Sequence, residues 1–263
     1  VQVHQWDGSS WSLRGNLFEG RDHYEYFGKG MDMSSDGNRI AIGGYRFDLS
    51  NQLAWCGRVQ VYDWDSTSET WSLTSENFGE QHGDHFGYDL ALSDDGNRLA
   101  VGAINAENSS SEQGVVRVYD WIGGQWVVIG NDLSGHVGND RLGWSVDISG
   151  SGARVAAGSR DHDNERGHVL IFDLNDNNEW EEKTEISGEG EYQQSGHNIS
   201  MSNDGEIVAI GSILEEHVRV FQLQPLTTAP PPTSKKLAGS PPYSLMTSIV
   251  AIASPAPFTK QPI

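Results

Sequence analysis

Short runs of alternating apolar and polar residues recur along the chain, and they predict β-strands. Between residues 86 and 93, Tyr88, Leu90 and Leu92 occupy every second position, and the residues between them are smaller or polar. A period of two is the signature of a strand with one buried face. The pair Asp95-Gly96 follows, and a second alternating run starts at residue 98. Because Asp-Gly between two such runs is a strong hairpin signal, the two runs are predicted to pair as antiparallel strands.

This hairpin unit occurs four times. Each copy contains a glycine, followed six residues later by a serine and nine residues later by another glycine. The first glycines of the four copies, which lie 59, 56 and 53 residues apart, are Gly28, Gly87, Gly143 and Gly196. A period of this length, built from short strands, indicates a β-propeller or a similar array of stacked units.

A complete copy is predicted to contain four strands, which we name A to D. In the second copy, strand A covers 86–93, strand B 98–102 and strand C 116–121, and strand D begins at Trp126. A four-stranded antiparallel meander of this kind is one blade of a propeller. We therefore predict an all-β propeller with repeats near 15–76, 77–131, 132–186 and 187–224, preceded by a partial blade over 1–14.

The predicted repeats contain one more C strand than A, B or D strands, because 1–14 supplies strands C and D and the last copy stops after strand C. Two arrangements stay open: about four blades with one displaced strand, or a piece of a larger propeller. After residue 224 the composition changes to Pro, Ser and Thr. Residues 225–263 are therefore predicted to form a flexible tail.

The net charge of −20 restricts the partners that can be expected. Nucleic acid and anionic membranes attract clustered Lys and Arg, so neither is predicted to bind this surface. Cys56 is the only cysteine, which excludes an intrachain disulfide. No signal peptide is visible, but the chain begins within a repeat, so one could have preceded it. We expect an extracellular or cell-surface location, where the sequon at Asn108 could carry a glycan.

The second copy resembles an FG-GAP repeat. The residues that carry the resemblance are FGYDLALSDDGNRLAVGA over 86–103 and GVVRVY over 114–119. The FG-GAP family includes the propeller of integrin α-subunits and many repeats of microbial surface proteins. The likeness covers 1–224 and is weakest in the fourth copy, where Ser195 replaces the phenylalanine and Glu216 replaces the glycine before strand C. It implies a propeller with its ligand on the face that carries the D–A and B–C loops.

Integrin-type repeats often bind calcium in the A–B hairpin, through a loop of the form Asp-x-Asp/Asn-x-Asp-Gly. Here the first copy offers only Asp32, Ser34 and Asp36, and the other copies offer fewer carboxylates. Calcium requires six to eight oxygen ligands. The chain is therefore similar to a calcium-free variety of the repeat, and we predict no metal and no cofactor.

The D–A and B–C loops are long and variable, and they are predicted to share one face of the propeller. Variable loops on a rigid scaffold are where binding tends to occur. Aromatic side chains beside Arg, His and Asp suit the recognition of proteins or sugars. The residues expected to face a ligand there are His23, Tyr24, Tyr26, Arg46, Phe47, Trp55, His82, Asp84, His85, Arg160, Asp161 and His162.

Two segments of these loops also resemble metal-binding sequences. His82-Gly-Asp84-His85 offers two imidazoles and a carboxylate, but no further ligand is identifiable for zinc. The acidic stretch 161–165 has alternating oxygens but lacks the turn glycine of a calcium loop. Both are interpreted as ordinary loop residues.

No catalytic motif is recognisable, since the chain lacks a Gly-x-Ser-x-Gly nucleophile turn and a phosphate-binding loop. The leading hypothesis is therefore a non-enzymatic binding or adhesion module that holds a protein or glycan. Two alternatives stay open. One is a propeller-fold polysaccharide hydrolase or lyase with carboxylates at the channel mouth, and the other is a structural spacer of a larger surface protein.

Overall fold

The computed structural model describes residues 1–21, 23–106, 112–214 and 217–226. Within these residues the chain forms eighteen strands and a one-turn helix, α1 (His162–Glu165). The predicted all-β propeller fold is confirmed. The sequon at Asn108 and the predicted tail beyond residue 226 lie outside the described residues.

The strands form five antiparallel sheets, and within each sheet the strands follow the chain order. The first sheet pairs β1 (His4–Trp6) with β2 (Trp11–Leu13). The second contains β3 (Met31–Met33), β4 (Arg39–Gly44), β5 (Arg58–Asp65) and β6 (Thr70–Phe78). The third contains β7 (Phe86–Leu92), β8 (Arg98–Ala103), β9 (Val115–Ile122) and β10 (Gln125–Val128), with β11 (Leu133–Ser134) also on β9.

The last two sheets continue the pattern. The fourth contains β12 (Ser145–Ile148), β13 (Arg154–Ser159), β14 (His168–Leu174) and β15 (Trp180–Ser187). The fifth contains β16 (Ser195–Met201), β17 (Ile207–Ser212) and β18 (His217–Gln222). Strands A to D of the sequence prediction therefore correspond to successive strands of one sheet.

The hydrophobic core lies between neighbouring sheets. Ala100 on β8, in the third sheet, shares one cluster of buried residues with Val146 on β12 and Leu170 on β14, in the fourth. The B-strand alanines Ala41, Ala100 and Ala156 are completely buried. Because alanine is small, each B strand lets the next sheet pack closely against it.

Repeated glycines make this close approach possible. Gly102 on β8 faces Gly143, at the start of the next copy, and a Cβ on Gly102 would collide with the carbonyl oxygen of Gly143. Gly143 also has a φ of 94°, a conformation that favours glycine. The spacing of the glycines in the sequence therefore reflects contacts between successive sheets.

A repeated arginine ties each sheet to the next. Arg98, the first residue of β8, donates two hydrogen bonds to Asp120 on β9, at 2.6 and 2.9 Å. Its third nitrogen donates to the carbonyl oxygen of Gly152, in the A–B turn of the following sheet, at 2.9 Å. Arg39 and Arg154 make the equivalent contacts in their copies. These bidentate pairs hold the turns in place and leave the opposite face to the variable loops.

Candidate functional site

Backbone hydrogen bonds bring the B–C loop of each sheet against the D–A loop that follows it. Phe86 N donates to Cys56 O, Leu142 N to Gln113 O and Ser195 N to Arg166 O. The loops that were predicted to share one face are therefore in direct contact. We call this surface the loop face.

Each D–A loop is held by an acidic or amide side chain that lies two residues before the repeat position of Phe86. Asp84 accepts the backbone N–H groups of Glu80 and Gln81. Asp140 does the same for His136 and Val137. Burial raises the pKa of Asp84. Asp84, predicted as a ligand contact, thus lies inside its own loop and stabilises it.

A row of aromatic rings crosses the loop face. The ring of Tyr45 lies 5.2 Å from Tyr26 and 4.9 Å from Tyr88, and Tyr88 lies 4.7 Å from Trp144. The guanidinium of Arg160 stands 3.5 Å above the Trp144 ring. We call these residues, Tyr26, Tyr45, Tyr88 and Trp144, the aromatic row. Such rings can stack on the apolar faces of sugars and on cations.

The structure brings some of the other predicted ligand residues to this row. Arg46 lies within 5.3 Å of the Tyr26 ring and 5.7 Å of the Trp55 ring. Trp55 in turn lies 6.2 Å from His82. His85 is half-buried beside Tyr45, and burial lowers its pKa to about 4, so its ring is neutral near pH 7.

Three further predicted residues differ in their exposure. His23 and Tyr24 are exposed. Phe47 is buried and stacks on Phe78 at 5.6 Å, so it belongs to the interior. His82, Asp84 and His85 are not among the groups of described residues whose ligand atoms could share a metal ion.

An open polar cleft of about 510 Å³ lies beside the row, between the loops of the fourth and fifth sheets. Arg141 and Arg160 line it, and both pair with Asp161, at 3.2 Å each. The other lining residues are Val137, Gly138, Asn139, Asp140, Asp163, Asn164, Glu165 and Gln194. Two of the predicted residues, Arg160 and Asp161, therefore meet at this cleft.

The backbone beside the cleft is strained. Arg141, Glu165 and Gln194 have positive φ values, but residues at the same repeat positions elsewhere share this geometry, such as His85 and Trp55. Asp163 (φ 46°) and Asn164 (φ 56°) have no counterpart in the described part of the corresponding loop of the first copy. Strain of this kind in a non-glycine residue often accompanies a functional site.

A histidine and a buried aspartate form a dyad at the edge of the cleft. Nδ1 of His162 lies 2.8 Å from Oδ1 of Asp140, whose side chain is 1% exposed. The hydrogen bond to Asp140 raises the pKa of His162. Burial alone would raise the pKa of Asp140, but the hydrogen bonds from His162 and from Val137 N outweigh burial and lower it.

Two more histidines extend the dyad into what we call the histidine cluster: His136, Asp140, His162, His168 and Glu185. The rings of His162 and His168 stack at 3.8 Å, with 7° between their planes. Nδ1 of His168 lies 2.9 Å from Oε1 of Glu185, and Nδ1 of His136 lies 3.7 Å from Oε2 of the same carboxylate. Two triads, His136–His168–Glu185 and Asp140–His162–His168, each have ligand atoms within 4.8 Å of one another.

Sequence reasoning found His162 but missed the rest of the cluster. His168 opens a strand and was interpreted as part of a blade. Its position in the repeat was a usable signal, because it directly follows the glycine before strand C, where the first copy has Arg58. Asp140 could have been found as the third member of a series with Glu25 and Asp84, each two residues before the repeat's first A-strand position.

The inner A strands carry the carboxylates that the hydrolase alternative requires at the channel. Asp32 accepts the N–H of Leu92, Asp89 that of Val146 and Asp147 that of Met201, each on the A strand of the next sheet. Burial raises the pKa of all three, that of Asp89 to about 6. These carboxylates are thus engaged in joining neighbouring inner strands.

Comparison with known proteins supports the fold. No protein-family model matches the chain, and no curated protein matches it. The periplasmic gluconolactonase of Pseudomonas aeruginosa is similar, with a TM-score of 0.57 and 19% identity, over 89% of this chain and 65% of that one. A candidate 6-phosphogluconolactonase of Bacteroides uniformis gives 0.51 and 14%, over 73% of this chain and 49% of that one. The hydrazine synthase of Kuenenia stuttgartiensis gives 0.50 and 13%, over 74% and 52%.

This chain therefore spans between about half and two thirds of the length of these structures. At such low identities the likeness establishes the β-propeller fold alone. No helix among the described residues is long and apolar enough to cross a membrane.

The comparison corrects two sequence-based predictions. The hypothesis of a non-enzymatic adhesion module is wrong, because the similar propellers include lactonases, which are enzymes. The prediction that the chain is not an enzyme is wrong for the same reason. The prediction relied on the absence of a linear motif, and a site assembled by the fold does not require such a motif. The findings favour the alternative of a propeller-fold hydrolase.

Proposed function

We propose that this chain is the propeller of a hydrolase that opens the lactone, or internal ester, of a polyhydroxy acid at the polar cleft. The observation that carries the proposal is the His162–Asp140 dyad beside a cleft that holds two guanidinium groups. A buried carboxylate on Nδ1 fixes the tautomer of the ring, so that Nε2 carries the lone pair of a general base. The names of two similar propellers support the substrate class.

In the proposed reaction, Nε2 of His162 removes a proton from a water molecule as the water oxygen attacks the lactone carbonyl carbon. Negative charge develops on the carbonyl oxygen, and Arg141 or Arg160 stabilises it. The ring C–O bond then breaks, and the leaving alkoxide takes the proton from protonated His162. Asp140 keeps the ring oriented and stabilises its positive charge throughout.

The surroundings of the dyad suit a sugar-derived substrate. Arg160 connects the two regions, since it lines the cleft and also stands over Trp144 of the aromatic row. Aromatic rings stack on the C–H faces of sugars, while a guanidinium pairs with a carboxylate or phosphate group. The sequence predicts a protein or glycan ligand at the loop face, and in this proposal the molecule bound there is the lactone substrate.

The inner-strand carboxylates are a weaker choice for the reacting groups. Both oxygens of Asp32 accept backbone N–H groups, from Met33 and from Leu92. Asp147 is bound in the same way by Ile148 and Met201. Carboxylates held in this manner serve the assembly of the sheets, so a glycosidase site on the inner strands is not part of the proposal.

Two further features belong to the proposal. We place the protein outside the cytoplasm, supported by its likeness to a periplasmic gluconolactonase. The FG-GAP resemblance stays a prediction, because it rests on the repeat motifs alone and no family model matches.

The test is hydrolysis of a panel of sugar lactones, with and without a phosphate group, measured as acid release above the spontaneous rate. His162→Ala is expected to lower kcat/KM by about 10²- to 10⁴-fold, the usual contribution of a general base. His4→Ala, at an exposed position of β1, is the matched control and is expected to retain full activity. Because the pKa of His162 is raised, its neutral form gains population as pH rises through that value, so kcat/KM should rise toward alkaline pH.

Wild-type protein that folds but accelerates no lactone of the panel would overturn the proposed substrate class. Activity that survives in His162→Ala would overturn the dyad as its source.

A further inference from the structure

The histidine cluster contains more metal-binding side chains than the proposed hydrolysis uses. His168 opens β14, Glu185 lies on the neighbouring β15, and His136 lies in the loop after β11. In the register of the two strands, Glu185 pairs with Leu170, two residues from His168. Both side chains therefore project from the same face of the sheet, and His136 lies over them at a ring distance of 5.3 Å from His168.

The spacing of the ligand atoms suits a tetrahedral ion. With bonds of about 2.0–2.2 Å to nitrogen and oxygen, the ligands of tetrahedral zinc lie about 3.3 Å from one another. Glu185 lies 2.9 Å from Nδ1 of His168 and 3.7 Å from Nδ1 of His136. The first distance is to Oε1 and the second to Oε2, and one ligand atom from each of His136, His168 and Glu185 lies within 4.8 Å of the others. Small side-chain movements would bring the three atoms to the tetrahedral spacing.

The outer contacts of the histidines match those of metal ligands. Nε2 of His136 lies 2.9 Å from Glu182, which leaves Nδ1 directed at Glu185. Metal-binding histidines usually give their other ring nitrogen to a carboxylate in this manner. His168 is fully buried, and its Nε2 has no hydrogen-bond partner among the described residues. A proton on Nε2 would leave the lone pair of Nδ1, which faces Glu185, available to an ion.

The charges of the cluster also favour a cation. The side chains that contact Glu185 are imidazoles and the Ser187 hydroxyl, and the side chain that contacts Asp140 is His162. No lysine or arginine is among these described partners. Neither the partly exposed Glu185 nor the buried Asp140 therefore has a permanent positive charge among these contacts, and a divalent ion would supply one.

We infer that the triad His136, His168 and Glu185 binds a divalent transition-metal ion with the ligand preference of zinc, leaving the fourth position to water. The mixture of imidazole and carboxylate ligands favours zinc and its neighbours over calcium or magnesium, which prefer oxygen alone. The site does not require the proposed hydrolysis, because the dyad uses Asp140 and His162.

The test is metal binding by the full chain after removal of bound ions with a chelator. Zn²⁺ is the probe, with stoichiometry measured by elemental analysis and affinity by competition with a chromogenic chelator. We expect one ion per chain and a rise in Tm of about 5–10 °C at a hundredfold excess over Kd. His136→Ala and Glu185→Gln, both at partly exposed positions, are each expected to weaken binding at least 10-fold. The exposed His23→Ala and Glu179→Gln are the matched controls.

Each outcome decides the assignment. Absence of Zn²⁺ binding by folded wild-type protein would overturn it. Binding that survives in both His136→Ala and Glu185→Gln, but is lost in Asp140→Asn, would overturn the triad in favour of the other one. Co²⁺ in place of Zn²⁺ gives an independent reading, since a tetrahedral site absorbs visible light. None of these measurements uses lactone hydrolysis, so a failure of the proposed function and a failure of the metal site are distinguishable.

Discussion

The first and third copies of the repeat place different side chains beside equivalent pairs of carboxylates. In the first copy, Arg58 at the start of β5 binds Glu25 and donates to Glu76 at 2.6 Å. In the third copy, His168 occupies the position of Arg58, Glu185 that of Glu76 and Asp140 that of Glu25. A guanidinium is always charged, whereas an imidazole is charged only at acidic pH. The first copy therefore contains its own cation, and the third leaves room for one to be bound.

The same repeat position therefore has different surroundings in the two copies. Arg58 is 2% exposed and packs on Phe27 and Phe47, so the first copy is closed at this point. In the third copy, Asp140 lies on the wall of the open cleft. Where the first copy has the long side chain of Arg58, the third copy has the stacked rings of His168 and His162. The carboxylate of Asp140 is then hydrogen-bonded to His162.

The largest effect is expected from removing the permanent cation. Arg58→Met should destabilise the fold by about 3–5 kcal/mol, because it leaves the buried Glu25 and its neighbour Glu76 without their partner. Urea unfolding at neutral pH measures the change. A loss below about 1 kcal/mol would show that the carboxylates of the first copy need no cation, and the comparison would fail.

The cost of burying a carboxylate can be measured directly at Asp89, where burial outweighs the nearby charge of Lys29. Its folded-state pKa is raised from 3.8 to about 6, which corresponds to about 3 kcal/mol. Because the folded state holds this proton more tightly than the unfolded state, the contribution to stability is largest at low pH and is lost as pH rises from about 4 to 6. Asp89→Asn should flatten the decline in this window, while its amide oxygen can still accept Val146 N–H. The exposed Asp176→Asn should leave the pH profile of unfolding as in wild type.

Much of the fold could be predicted from the sequence, because the same contacts between neighbouring sheets recur in each copy of the repeat. The glycine spacing predicted an array of repeated units, and Gly102 and Gly143 lie where two neighbouring units meet. The alternation of apolar and polar residues predicted the strands.

The site was predicted only in part, because it depends on where the copies differ. The loop pattern predicts Arg160, Asp161 and His162 at the site, but the alternation places Tyr88 and Trp144 in blade strands, so it does not predict them there. His168 and Glu185 are 17 residues apart and meet only through the register of β14 and β15. A linear motif cannot express such a contact, and this is why the chain was predicted to be without chemistry.

Making the third copy resemble the first should remove its need for a bound ion. His168→Arg supplies a guanidinium between Asp140 and Glu185, so the gain in stability from Zn²⁺, about 2.7 kcal/mol at a hundredfold excess over Kd, should be lost. Thermal unfolding with and without Zn²⁺ measures this, and His197→Arg, outside the histidine cluster, should keep the full zinc response. A zinc response that persists in His168→Arg would show that His168 is not a ligand of the bound ion.

The smallest effect is expected where a cation is exposed. Arg166 pairs with Asp163 at 3.1 Å in the same loop as His162, but the two side chains are 36% and 50% exposed. Solvent screens such a pair, so Arg166→Ala should cost at most about 1 kcal/mol, and the loss should shrink further at high salt. Urea unfolding at two salt concentrations measures it. A loss as large as that of Arg58→Met would mean that the pair holds the strained backbone at Asp163 and Asn164. The stability of the third copy would then depend on the geometry of this loop more than on the charges of the histidine cluster.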